Sequence, residues 1–352
     1  MKIAVIGAGF FGSTIAIKLS KKHSVDLFEK QNDILNNASK INQFRFHLGF
    51  HYPRSYKTLK EINSSYKLFI NFFSSKVLGK TQNYYAVANK GSKVSYKNYI
   101  KILKKFKLNY QISKTKFPHI SNLILTNEKI LNYFKFKDIL KKKILKSNVN
   151  LFLNMELRRK DVKNYDKIIV CTYSSNNQII EKLSSNKGLT KHKYELIEKI
   201  IVKLPKEYKQ KSYVVVDGKF VCLDPYLGTK YHLLSDVKYS KIEVIKKYKP
   251  LFKSSKKKYL NNDINKKLKV SNFKKFIAHS SHYLPFLKEA KYVGSFFTIR
   301  TLKLNVEKTD ERTGNIENID KKFLSILSGK WNTCVHVANK LEKLLSKWLM
   351  FI

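Results

Sequence analysis

Acidic residues are scarce in this sequence, and so are arginine, cysteine and long apolar runs. Asp and Glu number 25 among 352 residues, against 71 Lys and Arg, which gives a formal net charge of +46. No apolar run approaches the roughly 18 residues that a bilayer-spanning helix needs, so we expect no transmembrane segment. The three cysteines are widely spaced and lack metal-ligand spacing, which predicts reduced thiols, a cytoplasmic protein and no metal site. An apolar strand is predicted from Lys2 onward, so we expect no signal peptide.

The large positive charge has two interpretations. Such a value is typical of proteins that bind nucleic acid or an anionic membrane. Here the basic residues are spread over the whole length and only six are arginine, the residue that base edges and phosphates favour. We therefore attribute the charge to compositional drift and expect no specific nucleic-acid partner. A basic anion-binding or nucleic-acid-binding protein with a vestigial nucleotide fold remains the alternative from another functional class.

The few arginines are informative because lysine is used so freely elsewhere. A remaining arginine can mark a position that needs a planar, bidentate fork. Arg45, Arg54 and Arg300 fall inside the motifs described below.

Hydrophobic periodicity predicts an alternation of strands and helices, followed by an antiparallel group. The predicted helices are residues 13–22, 56–73, 99–106, 133–144 and 332–349. The predicted strands are residues 3–6, 25–28, 82–88, 150–153, 167–171, 199–204, 212–216, 219–223, 231–234 and 296–301. Asp217-Gly218 predicts a two-residue hairpin turn, and Thr126-Asn127-Glu128 a start signal for the helix at 133. The lysine-rich stretch 241–269 is predicted to be helix or loop, with its charges on a solvated face.

A dinucleotide fingerprint opens the chain. Gly7-Ala8-Gly9-Phe10-Phe11-Gly12 has the form G-x-G-x-x-G, directly after a strand and at the start of a helix. The glycines allow a tight turn, close approach of a pyrophosphate and close packing of helix and strand. Glu29 ends the second strand, beside Lys30, where its carboxylate can accept hydrogen bonds from a ribose. The alternative is a chance glycine-rich turn, and the fingerprint alone does not distinguish FAD from NAD.

The loop after the second strand separates these two cofactors. Residues 39–55 resemble the loop that runs along the cofactor in the D-amino-acid-oxidase-like superfamily, most closely in the L-2-hydroxyglutarate oxidase group. The positions that match that group's pattern are Asn42, His47, Gly49 and Tyr52. The positions that depart from it are Phe44, in place of glycine, Arg45, in place of an apolar residue, and His51, in place of the first tyrosine of a pair. These departures concern the substrate rather than the cofactor.

Two later segments extend the resemblance. Residues 166–173 resemble the second flavoprotein signature, a strand that ends near FAD at Thr172, although Tyr173 stands where the family has glycine. The segments 294–301 and 327–333 resemble the closing part of the superfamily, where Gly329 and Lys330 open the last helix towards the flavin. The alternative for residues 166–173 is a simple buried strand. The alternative for Arg300 is a structural salt bridge.

The resemblance implies an α/β fold with a glutathione-reductase-type, Rossmann-like FAD domain and an inserted α+β substrate domain containing an antiparallel sheet. The FAD domain is predicted at 1–75, 145–185 and 290–352, and the substrate domain at 76–144 and 186–289. The residues expected to bind a non-covalent FAD are Gly7, Gly9, Phe10, Phe11, Gly12, Glu29, Lys30, Asn42, Arg45, Thr172, Gly329 and Lys330.

The implied activity is oxidation of a CH–OH or CH–NH group in a small carboxylate-bearing substrate, by hydride transfer to flavin. His47 or His51 would act as the base, since a histidine can take up a proton near neutral pH. Arg45 or Arg300 would hold the substrate carboxylate or an oxyanion. The alternative for His47 and His51 is that they are ordinary histidines in a polar loop, without a catalytic role. A flavin-dependent sugar-modifying enzyme is the alternative activity.

Overall fold

The structure is a computed structural model that describes residues 1–185 and 188–349, apart from the side chains of the last three. Its α-helices, α1 to α7, are Phe10–Leu19, Tyr56–Phe73, Tyr96–Lys105, Tyr133–Leu145, Asn176–Leu183, Phe273–Ser280 and Cys334–Leu349. Its strands β1 to β9 are Lys2–Ile6, Ser24–Phe28, Arg45–Phe46, Leu78–Gly79, Gln82–Val87, Tyr110–Ile112, Ile124–Thr126, Lys129–Leu131 and Val149–Phe152. Strands β10 to β18 are Lys167–Val170, His192–Lys203, Lys211–Val216, Val221–Tyr226, Tyr231–Asp236, Lys241–Lys247, Lys291–Leu302, Asn315–Asn318 and Phe323–Leu327.

A six-stranded sheet with the order β17-β18-β10-β1-β2-β9 forms the first layer. Its strands are parallel except β17, which pairs antiparallel with β18. In β1 every residue after Lys2 is buried, as expected for a central strand covered on both faces. The parallel strands all end at one edge, where a doubly wound α/β fold places its ligand.

A nine-stranded, mainly antiparallel sheet forms the second layer. Eight of its strands follow the order β15-β11-β14-β13-β12-β5-β7-β6, and β16 pairs with the other side of β11. The strands β12 and β13 pair antiparallel, as the predicted hairpin requires, but residues 217–220 connect them rather than the two predicted turn residues Asp217 and Gly218. The observed architecture confirms the predicted fold class, a Rossmann-like parallel sheet with an antiparallel second sheet.

An aromatic cluster fixes the start of α7 against α1, α2 and α4. The ring centroids of Phe10 and Phe136 are 5.1 Å apart, and those of Phe69 and Trp331 are 5.4 Å apart. Phe46, in the loop predicted to run along the cofactor, joins the same cluster at 5.0 Å from Phe69. Aromatic rings bury large apolar areas, so this cluster anchors both the loop and the last helix beside the parallel sheet.

A buried ion-pair network joins that loop to the larger sheet. Arg45, in β3, contacts the carboxylates of Glu128 and Asp224, and all three side chains are at most 1% exposed. Glu128 also accepts a hydrogen bond from the Tyr85 hydroxyl at 2.6 Å and one from the Leu48 backbone N–H at 2.7 Å. The network therefore fixes the loop just before the two predicted histidines.

Two local predictions are wrong. The stretch 241–269 is not all helix or loop, because Lys241–Lys247 forms β15 and pairs antiparallel with β11. The segment Thr126-Asn127-Glu128 does not start a helix, because Thr126 ends β7 and Glu128, just before β8, is buried beside Arg45. The helix begins instead after Asn132, whose side chain accepts a hydrogen bond from the Lys135 N–H at 3.1 Å.

The predicted domain ranges stay a prediction. The six strands of the first layer fall within the ranges assigned to the FAD domain. Strand β16 also falls within them but pairs with β11 in the larger sheet. Residues 186–187 and 350–352, at the ends of two predicted ranges, lie outside the described residues. No helix within the described residues is both long enough and apolar enough to cross a membrane.

The Arg45 network yields a stability prediction. Asp224→Asn removes one carboxylate from a buried guanidinium, which should lower the free energy of unfolding by about 3–5 kcal/mol. Urea denaturation of the purified protein measures this change. The matched control is Asp138→Asn, since Asp138 is exposed on α4 and its replacement should change stability by less than about 0.5 kcal/mol. Equal effects of the two substitutions would contradict a stabilising role of the network.

Candidate functional site

The glycine turn lies at the carboxyl end of β1 and requires glycine at two positions. Gly7 has φ +98°, a conformation that side-chain-bearing residues rarely adopt. A Cβ on Gly12 would lie 1.8 Å from the carbonyl oxygen of Gly7, so any side chain there would separate helix from turn. Gly9 caps α1 without a side-chain hydrogen bond, which leaves the positive end of the helix open to an anion.

Glu29 lies at the carboxyl end of β2, next to this turn. Its carboxylate accepts hydrogen bonds from the backbone N–H of Ala8 at 2.9 Å and of Gln31 at 3.0 Å. The side chain thus connects the ends of β1 and β2 and presents a fixed negative charge to the cavity that Lys30 also lines. This placement suits an acceptor for ribose hydroxyl groups.

Two adjoining cavities run along this edge of the parallel sheet. The first has a volume of about 250 Å³ and is lined by the glycine turn, Glu29 and Thr172. The second has a volume of about 290 Å³ and is lined by His47, His51 and the segment around Gly329. Residues that line both cavities are Gly9, Ala38, Ser39, Cys171, Tyr173 and Thr298. The shared walls make one elongated site, which suits an extended ligand.

A histidine pair lines the second cavity. The ring centroids of His47 and His51 are 5.4 Å apart, and Tyr52 packs against both, at 5.3 and 4.9 Å. The Nδ1 atoms of both histidines and the hydroxyl of Tyr52 are buried without a hydrogen-bond partner among the described residues. Buried polar atoms usually have a hydrogen-bond partner, so these three atoms are available to a ligand bound in the cavity.

The electrostatic environment keeps these histidines neutral. Burial, with the positive charge of Lys330, lowers the pKa of both His47 and His51 well below the ordinary value. Burial, with the charge of Arg312, likewise lowers the pKa of Lys330 to about 7. The Lys330 ammonium lies 4.7 Å from the ring centroid of Tyr52. Both imidazoles are therefore in the neutral form that can accept a proton, and the lowered pKa makes each a weaker base than a solvent-exposed histidine.

The two arginines proposed as anion clamps have carboxylate partners in the structure. Arg45 lines the second cavity but pairs with Glu128 and Asp224. Arg300 also lines it, and its Nε donates to Glu195 at 2.6 Å. Their role towards a substrate stays a prediction.

The structure brings nearly all the other residues that the sequence pointed to into the two cavities. Those lining the first are Gly7, Gly9, Glu29, Lys30 and Thr172. Those lining the second are Gly9, Phe10, Phe11, Asn42, Arg45, His47, His51, Arg300, Gly329 and Lys330. Gly12 lines neither, and its position is explained by the packing of α1 on the turn.

Two positions that depart from glycine in the resemblances described above have a left-handed backbone with another residue. Phe44 has φ +56° and Tyr173 has φ +59°. The Tyr173 hydroxyl accepts a hydrogen bond from the Thr301 N–H at 3.0 Å and lies 3.2 Å from the Thr301 carbonyl. This contact fixes the turn after β10 to β16, which compensates for the unfavourable backbone.

Sequence reasoning missed three groups of the second cavity. Lys199, in β11, and Cys222, in β13, come from strands that were predicted without any assigned role. Arg312, in the loop before β17, lies outside every motif. For Arg312, the rarity of arginine was the one available signal, whereas no local pattern marks the other two.

Comparisons with known proteins agree with this geometry. A family model of NAD(P)-binding Rossmann-like domains matches residues 5–67. A stretch of 122 residues is 30% identical to the FAD-dependent monooxygenase FPY4 of Fusarium mangiferae, and it covers 34% of this chain and 33% of that protein. The alignment thus spans about a third of that relative.

Solved structures resemble the chain over nearly its whole length. The L-proline dehydrogenase of P. horikoshii has a TM-score of 0.70 at 12% identity, over 98% of this chain and 93% of that one. The FAD-bound L-α-glycerophosphate oxidase of Mycoplasma pneumoniae has a TM-score of 0.68 at 15% identity, over 98% of this chain and 94% of that one. The glycine oxidase of Geobacillus kaustophilus has a TM-score of 0.66 at 11% identity, over 95% of this chain and 90% of that one. At these identities the likeness concerns the fold.

The buried histidines predict a loss of stability in mild acid. The unfolded chain binds a proton at each histidine near pH 6.5, whereas the folded protein resists this because the pKa of His47 and His51 is lowered. The unfolded state therefore binds more protons below that pH, so the free energy of unfolding should fall as pH falls. Each histidine should contribute about 1.4 kcal/mol per pH unit. Denaturation at pH 7 to 5 should give a shallower slope for His51→Gln, and identical slopes would contradict the assignment.

Proposed function

We propose that this protein is an FAD-dependent oxidoreductase that oxidises a CH–OH or CH–NH group of a small, acidic substrate. The observation that carries the proposal is the elongated site formed by the two cavities. It runs from Glu29 and the open N-terminus of α1 to His47 and His51. A dinucleotide with a pyrophosphate in its middle and an aromatic ring system at one end has this shape.

The residues present fit that cofactor. The open N-terminus of α1 at Gly9 would hold the pyrophosphate, and Glu29 with Lys30 would border the adenosine half. The loop residues Asn42 and His47 would lie along the flavin half. The start of α7 near Lys330 would place a helix N-terminus and a cation at the pyrimidine edge.

The similar proteins support the same cofactor. The aligned relative is named an FAD-dependent monooxygenase, and one similar structure contains bound FAD. Other similar structures are oxidases and dehydrogenases of amino acids. The activities named for these proteins differ, so they support an oxidoreductase and do not identify the substrate of this chain.

The chain's own residues would bind the substrate, exclude water and take up a proton. When bound, FAD supplies the hydride acceptor. His47 or His51, held neutral by burial, would take the proton from the substrate's hydroxyl or amino group at its unpaired ring nitrogen. Residues of the loop and of the large sheet line this end of the site and would limit the access of water to the reacting carbon.

A more specific proposal concerns the substrate. The loop pattern of Asn42, His47, Gly49 and Tyr52 is nearest to the L-2-hydroxyglutarate oxidase group, which makes a 2-hydroxy acid the first compound to try. His51, where that group has tyrosine, adds a second base, and this favours a related acid over that compound itself. We therefore expect the protein to bind a small-molecule substrate.

The cofactor assignment is tested with the purified protein. We expect a yellow protein with the visible absorbance of oxidised flavin, and FAD released on denaturation. Gly9→Val should lose most of this FAD, since a Cβ on Gly9 meets the Ser39 hydroxyl at 3.0 Å in the shared wall of the cavities. Circular dichroism checks that the variant is folded. A colourless wild type, or a variant that keeps its FAD, would refute the assignment.

The base is tested by anaerobic reduction of the flavin with a panel of 2-hydroxy acids, amino acids and glycerol phosphate. His47→Gln or His51→Gln should slow reduction by about 10²- to 10⁴-fold while FAD content is kept, because a positioned base contributes this much. Stopped-flow absorbance measures the rate. The control His119→Gln changes an exposed histidine that lines neither cavity. If all three variants match wild type, neither histidine is the base.

A further inference from the structure

The second cavity is lined by six basic side chains other than histidine, and most of them have an acidic partner. Arg45 contacts Glu128 and Asp224, Arg300 contacts Glu195, and Arg312 contacts Asp310. Lys303 lies 3.2 Å from Glu311. Lys199 and Lys330 have no carboxylate within 4.0 Å among the described residues. These two cations are therefore the ones available to an anionic ligand.

Lys199 lies deep in the wall of the cavity. It belongs to β11, is 9% exposed, and its ammonium donates a hydrogen bond to the Ser235 hydroxyl at 3.0 Å. Burial lowers the pKa of Lys199 to about 8; the charge of Arg300 also lowers it, whereas the carboxylate of Asp224 raises it. The side chain thus stays mainly protonated at neutral pH. A buried cation without an anionic partner is costly, which indicates that a ligand supplies the negative charge.

The register of the large sheet builds a site around this ammonium. In the β11–β16 pair, Lys199 lies opposite Phe296 and Glu195 lies opposite Arg300. Residues four apart on a strand share a face, so Lys199 and Arg300 face the same side of the sheet. Ser235 and Cys222 are directly opposite each other on β14 and β13, and both line the same cavity.

The donors of this site are arranged for an oxyanion. The Ser235 hydroxyl accepts from Lys199, so its own proton can be donated to a ligand. The Lys199 ammonium has two further N–H groups. The Cys222 thiol donates its proton to the Asp224 carboxylate at 3.2 Å, so this proton does not contact the proposed ligand.

We propose that Lys199, with Ser235, is the specificity-determining site that binds the acidic group of the substrate, a carboxylate or a phosphate. This inference rests on the proposed function, because it requires the second cavity to hold the substrate. Lys330 is left beside the start of α7, where a cation borders the cofactor. The paired arginines Arg45 and Arg300 line the wall of the same cavity.

The test is a binding titration that does not depend on flavin chemistry. Isothermal titration calorimetry of the purified holoprotein with acetate, succinate and inorganic phosphate gives a Kd for each anion. Lys199→Met should raise the Kd of the preferred anion by about 10- to 100-fold, because a charge-assisted hydrogen bond to the anion is lost. The matched control is Lys203→Met, an exposed lysine on the same strand. It should leave the Kd unchanged.

The anion series identifies the substrate's acidic group. Tighter binding of acetate or succinate assigns a carboxylate, and tighter binding of phosphate assigns a phosphate ester. Ser235→Ala should cause a smaller loss than Lys199→Met, and Lys199→Arg should keep part of the affinity. With the reducing substrate, Lys199→Met should raise KM far more than it lowers kcat.

Two results would overturn the inference. One is a wild type that binds none of the three anions, and the other is equal binding by Lys199→Met and Lys203→Met. Either result leaves the flavin assignment intact if the protein is yellow and is reduced by a substrate. Conversely, a colourless protein that loses anion binding in Lys199→Met would keep the anion site and refute the oxidoreductase.

Discussion

The buried contact of Arg45 with Glu128 and Asp224 is the interaction on which the geometry of the site depends. It joins a two-residue strand of the cofactor loop to the turn before β8 and to β13. The loop has little regular hydrogen bonding of its own, so its path is fixed by this contact and by the aromatic cluster around Phe46. His47 follows two residues after Arg45, and its place beside the cavity is a consequence.

Local features of the site could be predicted from the sequence, because they depend on short stretches of chain. The turn from Gly7 to Gly12 combines strand, glycine spacing and helix within a dozen residues, and the structure has it as expected. The helix Tyr56–Phe73 has the predicted bounds, since its apolar periodicity and the Ser55 cap are both local. The resemblance placed the loop beside the same edge of the sheet, which periodicity alone could not do.

The partners of the buried charges could not be predicted in this way. Arg45 and Asp224 are 179 residues apart, and nothing near either one marks the other. Glu128 resembled a helix start signal because an acidic residue after Thr-Asn is common there, yet tertiary pairing decided its role. Strand β15 was hidden for a related reason: its lysines suit an exposed edge strand as well as a solvated loop.

The rarity of arginine has an explanation in these contacts. Arg45, Arg54, Arg158, Arg300 and Arg312 all contact carboxylates, whereas most lysines lie on the surface. A planar guanidinium can donate to two acceptors at once in a fixed geometry, whereas the ammonium of lysine lies on a flexible side chain and has no fixed fork. Arginine is thus found mainly at carboxylate contacts; among the described residues Arg159 is the exception.

The resulting cavity is positively charged but contains neutral bases, and this combination restricts the chemistry. The same cations that lower the pKa of His47 and His51 also disfavour a substrate ammonium in the cavity. An amino substrate would therefore react as the free amine, whereas a hydroxy acid would enter with its carboxylate already suited to the field. Under the proposed function, loss of the hydroxyl proton from a hydroxy acid would raise the electron density at the reacting carbon and so favour the departure of hydride, and the positive field would stabilise both the resulting alkoxide and the carboxylate.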